Sequence, residues 1–250
     1  MFKCFVLLII FLAQGLIAQE DCYSLYIGGD VGMGILSFRH CHDGIYNEYF
    51  DYDFDDSSST FINQDIVLIA GFRFGGRIDV SDCWYAAMEG SFRSAKSETA
   101  STGITCFRVS EDCQQLRYCF GETASYIAGI HGHLGYKTDC SIAAYGIIGA
   151  EYLRAKVYQN YNFSDDSLFD DLSLKNCYHN WGYSLGAGFV ANFYCDMDLR
   201  LEVVYASLRK YSFNRCLDLK DDYDTDYKSG NKIQIKPTLL YGVVSFAYNF

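Results

Sequence analysis

Eight stretches of the chain alternate apolar side chains with small or polar ones at a period of two. Residues 25–36 put Leu25, Ile27, Val31, Met33 and Ile35 on one parity, with Tyr26, Asp30 and three glycines on the other. Residues 65–78 oppose Ile66, Leu68, Phe72 and Phe74 to Asp65, Arg73 and Arg77. Residues 84–93 oppose Trp84, Met88 and Phe92 to Glu89, Ser91 and Arg93. The pattern returns in 126–136, where Ile130 and Leu134 alternate with His131 and His133, and in 143–153, where Ile148 and Tyr152 alternate with Tyr145 and Glu151. It closes with 181–193, with 198–207, where Asp198, Arg200 and Glu202 share a parity, and with 239–250, ending on Phe246, Tyr248 and Phe250. Successive side chains leave opposite faces of a pleated strand, so period two predicts strands.

One parity is rich in Leu, Ile, Phe and Tyr, and the other carries charges and glycines. A soluble calycin-like barrel would need its polar residues outside. A membrane barrel reverses that: apolar side chains meet lipid and polar ones face a narrow interior. Closure leaves no unpaired backbone edge in hydrocarbon. The expected fold is therefore all-β, an eight-stranded antiparallel transmembrane β-barrel in an up-and-down meander. Glycines on the inward parity suit a lumen that eight strands leave little room to fill. The apolar residues are assigned to a lipid-facing belt rather than to a buried core.

The links between segments alternate in length. Long ones cover roughly 39–61, 96–122, 158–179 and 213–233, and short ones lie near 79–82, 137–140 and 194–197. That alternation predicts outer loops on one side and periplasmic turns on the other. The long links are acidic and tyrosine-rich, which fits a solvated surface or a site for a cation, a glycan or a host protein. The single proline, Pro237, is expected near the start of the last strand.

The N-terminus carries Lys3 and then an apolar run from Phe5 to Ala13, with Leu16 and Ala18 at suitable cleavage positions. This is the pattern of a secretory leader over residues 1–18, followed by the barrel over 19–250. The apolar run is too short for a spanning helix, which needs roughly 20 residues. Loss of Lys3 and Cys4 with the leader leaves ten cysteines and a slightly more acidic chain than the whole sequence, whose net charge is −11. An acidic balance argues against a nucleic-acid partner. The glycine-rich stretch 28–34 is an alternating strand and lacks the helix that a dinucleotide site requires. No cofactor or metal is expected.

LYIGGDVG at 25–32, GFRFGG at 71–76 and SFAYNF at 245–250 together resemble the small outer-membrane barrels of the OmpA and opacity-protein type. The resemblance covers most of the chain after the leader. It implies a Gram-negative outer-membrane location and a role in envelope structure or surface interaction, with a narrow pore as the alternative. It also implies that Phe246, Tyr248 and Phe250 form the signal read by the barrel-assembly machinery, and that opposed charges plug the lumen. The cysteine content departs from the usual pattern. It is similar to that of cysteine-rich envelope proteins of chlamydia-like and Legionella-like bacteria.

Under this topology the cysteines sort by side. Cys22, Cys83, Cys140 and Cys195 fall at the periplasmic side, and Cys41, Cys106, Cys113, Cys119, Cys177 and Cys216 in or beside the long links. Both sets are even, which predicts disulfides within each side and allows bridges to other envelope proteins. By parity Arg73, Arg77, Glu89, Arg93, Glu151, Arg200 and Glu202 point inward. Confined charges must be paired, so a network centred on Arg73, Glu89, Glu151, Arg200 and Glu202 is expected. His131 and His133 share the inward parity. They suit core hydrogen bonds better than catalysis, because an enzyme acting on lipid needs access to lipid, and no enzymatic activity is expected.

Overall fold

The structure is a computed structural model that describes residues 23–47, 59–109, 112–138, 142–163, 172–194, 196–220 and 226–250. Side chains are described over 23–41, 62–98, 121–138, 142–158, 177–192, 196–212 and 234–250. The expected leader lies outside these residues.

The described strands are β1 (Tyr23–Asn47), β2 (Ser59–Asp79), β3 (Trp84–Val109), β4 (Asp112–Lys137), β5 (Ile142–Phe163), β6 (Leu172–Tyr194), β7 (Met197–Leu208), β8 (Tyr211–Lys220) and β9 (Asp226–Asn249). Each pairs antiparallel with its neighbours, and β1 closes the sheet by pairing with β9, so that Val31 lies opposite both Ala70 and Val244. β7 and β8 both pair with β9 and form one stave, broken at Arg209 and Lys210. The result is a closed eight-stranded up-and-down barrel. Ser207 lies opposite Thr238 and Tyr211 opposite Ile235, so the stave has one more residue than β9 over the same rise. Pro237 sits at this bulge, well inside β9 rather than near its start. With no N–H to give, a proline is tolerated within a sheet at just such an irregularity.

The short turns fall where the alternation stops. Val80 and Ser81 donate their backbone N–H groups to the Trp84 carbonyl, and Thr138 donates to that of Ile142. The long links are a correction. Most of their length is strand: β3 runs to Val109 and β4 resumes at Asp112, and β5 continues to Phe163. The backbone ladder satisfies itself whatever the side chains are, so it continues past the point where lipid stops demanding an apolar exterior.

Between two aromatic girdles the outer face is apolar. Trp84 and Tyr136 meet edge-on at one end, and Tyr126, Tyr152 and Trp181 line up at the other, with ring centroids 5.1–6.0 Å apart. The intervening stretches, 126–136 and 142–152, match the roughly 9–11 residues a tilted strand needs to cross a bilayer. Ile66, Leu68, Ile148 and Phe189 stand exposed on this belt. Phe246, Tyr248 and Phe250 also face outward along the last strand. This is a membrane barrel of the outer-membrane type.

Above the second girdle the faces exchange character. Leu36, Phe38, Leu153, Ala155, Val157 and Ile235 are buried inside, where they belong to an apolar core. Arg39, Lys96, Arg154, Lys156 and Lys236 lie outside, all exposed but the half-buried Arg154. The apolar residues are thus divided between a lipid belt and a core, a second correction to the expectation of a belt alone.

Candidate functional site

The lumen at membrane level is filled by a layer of charge, and the ladder register explains how it fits. Arg73 lies opposite Gly28, Glu89 opposite Gly75, Arg93 opposite Gly71, Glu151 opposite both Gly129 and Gly182, and Glu202 opposite Gly188. The glycines make room. A Cβ on Gly71 would come within 2.9 Å of Arg93 Cγ, and one on Gly129 within 2.9 Å of Glu151 Oε2.

Arg73 is the centre and has no exposed surface. Its Nη1 and Nη2 bond Glu202 Oε1 and Oε2 at 2.6 and 2.9 Å, its Nε bonds Asp30 Oδ1 at 2.5 Å, and Nη1 reaches Glu89 Oε2 at 3.2 Å. Bidentate pairing of this kind is among the strongest side-chain contacts available. Arg93 Nε bonds the other Asp30 oxygen at 2.7 Å, and its Nη1 donates to the Tyr241 hydroxyl, which in turn donates to Glu151 Oε1 at 2.6 Å. Arg200 reaches Glu89 at 3.2 Å and Asp198 at 3.3 Å, and stacks over the Tyr26 ring with 3.9 Å to its centroid. Tyr26 donates to Glu89 and Tyr145 to Glu202. Arg77 sits at the periplasmic edge, 3.8 Å from Asp198.

The residues expected to form the network all lie in this layer, but not as one contact set. Arg73 joins Glu89 and Glu202. Arg200 contacts Glu89 and not Glu202 among the described bonds. Glu151 stands apart, linked through Tyr241, Arg93 and His131. Asp30, which bonds both Arg73 and Arg93, is as central as any of them, Asp198 meets Arg200 toward the periplasmic edge, and both were legible by parity alone. The tyrosine hydroxyls carry no such sequence signal, because a tyrosine on an inward parity reads equally well as apolar filling.

His131 Nε2 lies 2.9 Å from Glu151 Oε1, and His133 stacks on Tyr145 at 5.0 Å. Both rings are buried in the lumen, and among the described residues neither bonds a serine. Glu89, His133 and Glu202 bring donor atoms within 4.8 Å of one another, a spacing that could hold a metal ion. Arg73 already bonds both carboxylates, so its guanidinium occupies the place a cation would take.

A second buried polar group lies in the outer storey, in or just beside residues the sequence assigned to links. His40 Nε2 is 2.5 Å from Glu122 Oε1, and Asn63 donates to Glu122 Oε2 at 3.1 Å. Nearby, Tyr178 and Tyr211 stack at 4.1 Å. Burial pushes both hydroxyls well above their usual range, and the Glu122 carboxylate adds to the effect, so they remain protonated donors.

The cysteines overturn the expectation of disulfide-bearing loops. No Sγ–Sγ bond is present among the described residues, and Cys83 and Cys177 are exposed free thiols. The ladder gives the reason. Cys41 lies opposite Thr60 and Gln234, Cys106 opposite Gln115, Cys113 opposite Arg108, Cys119 opposite Thr102 and Asn160, Cys177 opposite Lys156 and Cys216 opposite Gly230. No strand-borne cysteine directly faces another, and a disulfide needs Cα atoms within about 7 Å with Cβ vectors converging. Cys22, Cys140 and Cys195 lie outside the described residues, as do the side chains of Cys106, Cys113, Cys119 and Cys216.

No family model matches the chain, and no curated protein sequence matches it. Solved structures that resemble it are outer-membrane barrels. The attachment invasion locus protein Ail of Yersinia pestis is 15% identical over 92% of this chain and 99% of its own, with a TM-score of 0.36. OprG of Pseudomonas aeruginosa is 12% identical over 92% and 96%, with a TM-score of 0.43, and the neisserial surface protein NspA is 9% identical over 86% and 95%, with a TM-score of 0.31. Scores this low carry no argument about activity. The closed eight-stranded barrel stands on this chain's own ladder and on its inside–outside chemistry.

Proposed function

We propose that this chain is a sealed outer-membrane barrel that anchors a β-stranded platform at the cell surface and does not conduct. The observation that carries the reading is Arg73, wholly buried and bonded to Asp30, Glu89 and Glu202 from three other strands, beneath an apolar core that fills the barrel above it. Two successive barriers, one of paired charge and one of hydrocarbon, oppose an ion. The lumen of an eight-stranded barrel is normally closed by its side chains, which argues against the narrow-pore alternative. A leader over residues 1–18 would direct export, and the outward row of Phe246, Tyr248 and Phe250 would serve recognition by the barrel-assembly machinery. Envelope proteins or a host surface ligand would meet the platform rather than the lumen.

Planar-bilayer recording of the refolded chain tests this. No channel steps are expected from the unmodified protein. Reproducible steps, reduced by Glu89→Gln or Arg200→Gln, would overturn the sealed reading in favour of a pore.

A further inference from the structure

Among the described residues the ladder lapses in two places, between β2 and β3 above Leu68–Lys96 and between β6 and β8 above Gly182–Leu208, and the second coincides with a patch of unpaired positive charge. β6 pairs with β7 from Tyr194–Met197 up to Gly182–Leu208. Above that, β6 keeps its ladder to β5, whereas β8 ladders only with β9. The seam between β6 and β8 is pinned at its base, where Arg209 donates its N–H to the Trp181 carbonyl at 2.9 Å and Asn180 donates to the Arg209 carbonyl. Higher up, the Tyr178–Tyr211 stack fills it. The cause is local. Opposite Pro237 the stave bulges by one residue, and the extra length turns Arg209 and Lys210 out to solvent.

On the outer surface this leaves a groove of about 660 Å³. Trp181 and Tyr183 line its lower part, the buried Leu208 lies behind, and Arg209, Lys210 and Lys236 line its upper part. Trp181 belongs to the girdle that marks the lipid boundary, so the groove straddles the edge of the hydrocarbon. Among the described residues none of the three cations takes part in an ion pair, in a chain with 31 acidic and 20 basic side chains. An apolar lower half within the acyl region and a triple-cation upper half at headgroup level are complementary to one class of ligand.

We propose that this groove is a binding site for a lipid of the outer leaflet with a phosphate-bearing headgroup, its acyl chain against Trp181 and Tyr183 and its phosphate between Arg209, Lys210 and Lys236. The site is on the outside of the wall and does not depend on whether the lumen conducts.

The protein's two tryptophans make the test direct. Trp84 lies in the opposite girdle, so Trp84→Phe leaves Trp181 as the sole indole. This variant, refolded in phosphatidylcholine vesicles, is titrated with brominated-chain phosphatidic acid or, separately, with brominated-chain phosphatidylcholine. Phosphatidic acid is expected to quench Trp181 as though enriched by tenfold or more, up to about a hundredfold, at the groove, since each of three basic residues near the surface favours an anionic lipid by roughly 1 kcal/mol. The enrichment should vanish in the Arg209→Gln, Lys210→Gln, Lys236→Gln triple variant and persist in Lys96→Gln, a cation on another strand. Equal quenching by the two lipids overturns the proposal. So does loss in Lys96→Gln as large as in the triple variant, which would mean diffuse attraction. Displacement by inorganic phosphate at constant ionic strength would reassign the site to a soluble anion and also overturn it. Native mass spectrometry of the unmodified chain released from the same vesicles provides a second measurement without the Trp84 change. Retained phosphatidic acid, lost on the triple substitution, is the expected result.

Discussion

The membrane storey and the outer storey are built on the same strands and the same side-chain parity, yet their contents are exchanged. On β5, Ile148 and Tyr152 face out and Glu151 faces in at membrane level; a few residues further on, Arg154 and Lys156 face out and Leu153, Ala155 and Val157 face in. The strand does not change its geometry between the two. What changes is the solvent outside it. Where the outside is lipid, the interior is the only place for charge, and the charge must be paired. Where the outside is water, the interior becomes a largely apolar core, with the His40, Glu122 and Asn63 group as its polar exception. Parity decides which face a residue takes, and the surroundings decide which residues belong there.

The two interiors should therefore fail differently. Arg73→Met gives the largest effect, because it leaves Asp30, Glu89 and Glu202 facing one another without their shared cation. Removing one partner of a buried ionic group costs about 3–5 kcal/mol, and here several carboxylates lose the same one. The expected outcome is a large fall in the urea midpoint of the barrel refolded in vesicles. A change of under about 1 kcal/mol would mean that the layer adjusts by taking up water, and would weaken the sealed reading as well. In the outer storey, Leu153→Ala deletes packing and leaves no charge exposed. Such truncations cost about 2–5 kcal/mol according to how far the site collapses, and the loss should fall in the outer part of the barrel. Hydrogen exchange would show it, with amides of β5 above Tyr152 losing protection while those around Ile148 keep theirs.

This exchange of faces was partly legible in the sequence. The eight membrane segments stood out because Phe, Ile and Leu recur against Gly and charge. Beyond them the alternation does not end but shifts by one residue: Ile35 out and then Leu36 in, Phe92 out and then Ala95 in, Tyr152 out and then Leu153 in. Read with a fixed apolar parity, the shifted stretch looks like a link. Read as a phase change, it marks the lipid boundary. The inward charges were legible for the same reason as the strands. Their pairing was not, because Arg73 and Glu202 meet across the lumen while Arg200 and Glu202, two residues apart on one strand, do not. Arithmetic on cysteine numbers misled, since an even count on each side says nothing about whether any two stand opposite one another. The seam at Arg209 had one sequence sign, Pro237, whose significance depends on its being inside β9.

The outer faces supply the remaining contrast. Ile148 is 67% exposed on the lipid belt, and Ile148→Lys places an ammonium group within the hydrocarbon. The cost for a lipid-facing lysine at mid-membrane is about 2–4 kcal/mol, falling toward zero at the interfaces. Equilibrium unfolding in vesicles measures it, and a value well under 1 kcal/mol would place Ile148 outside the hydrocarbon and shift the proposed boundary.

Lys156→Leu is the reciprocal change, and its effect should be the smallest. Lys156 faces the same way on the same strand as Ile148 but lies beyond Tyr152, exposed above the girdle. If water surrounds that position, an apolar side chain there gains nothing from lipid and loses no buried contact, so stability should move by less than about 0.5 kcal/mol. If the bilayer instead reached that height, the same substitution would remove a cation from lipid and stabilise the barrel by an amount comparable to the Ile148→Lys loss. The two variants bracket the boundary from both sides. A near-zero value at Lys156 together with a multi-kcal/mol loss at Ile148 fixes it between them, at the girdle containing Tyr152, where the interior also passes from charge to hydrocarbon.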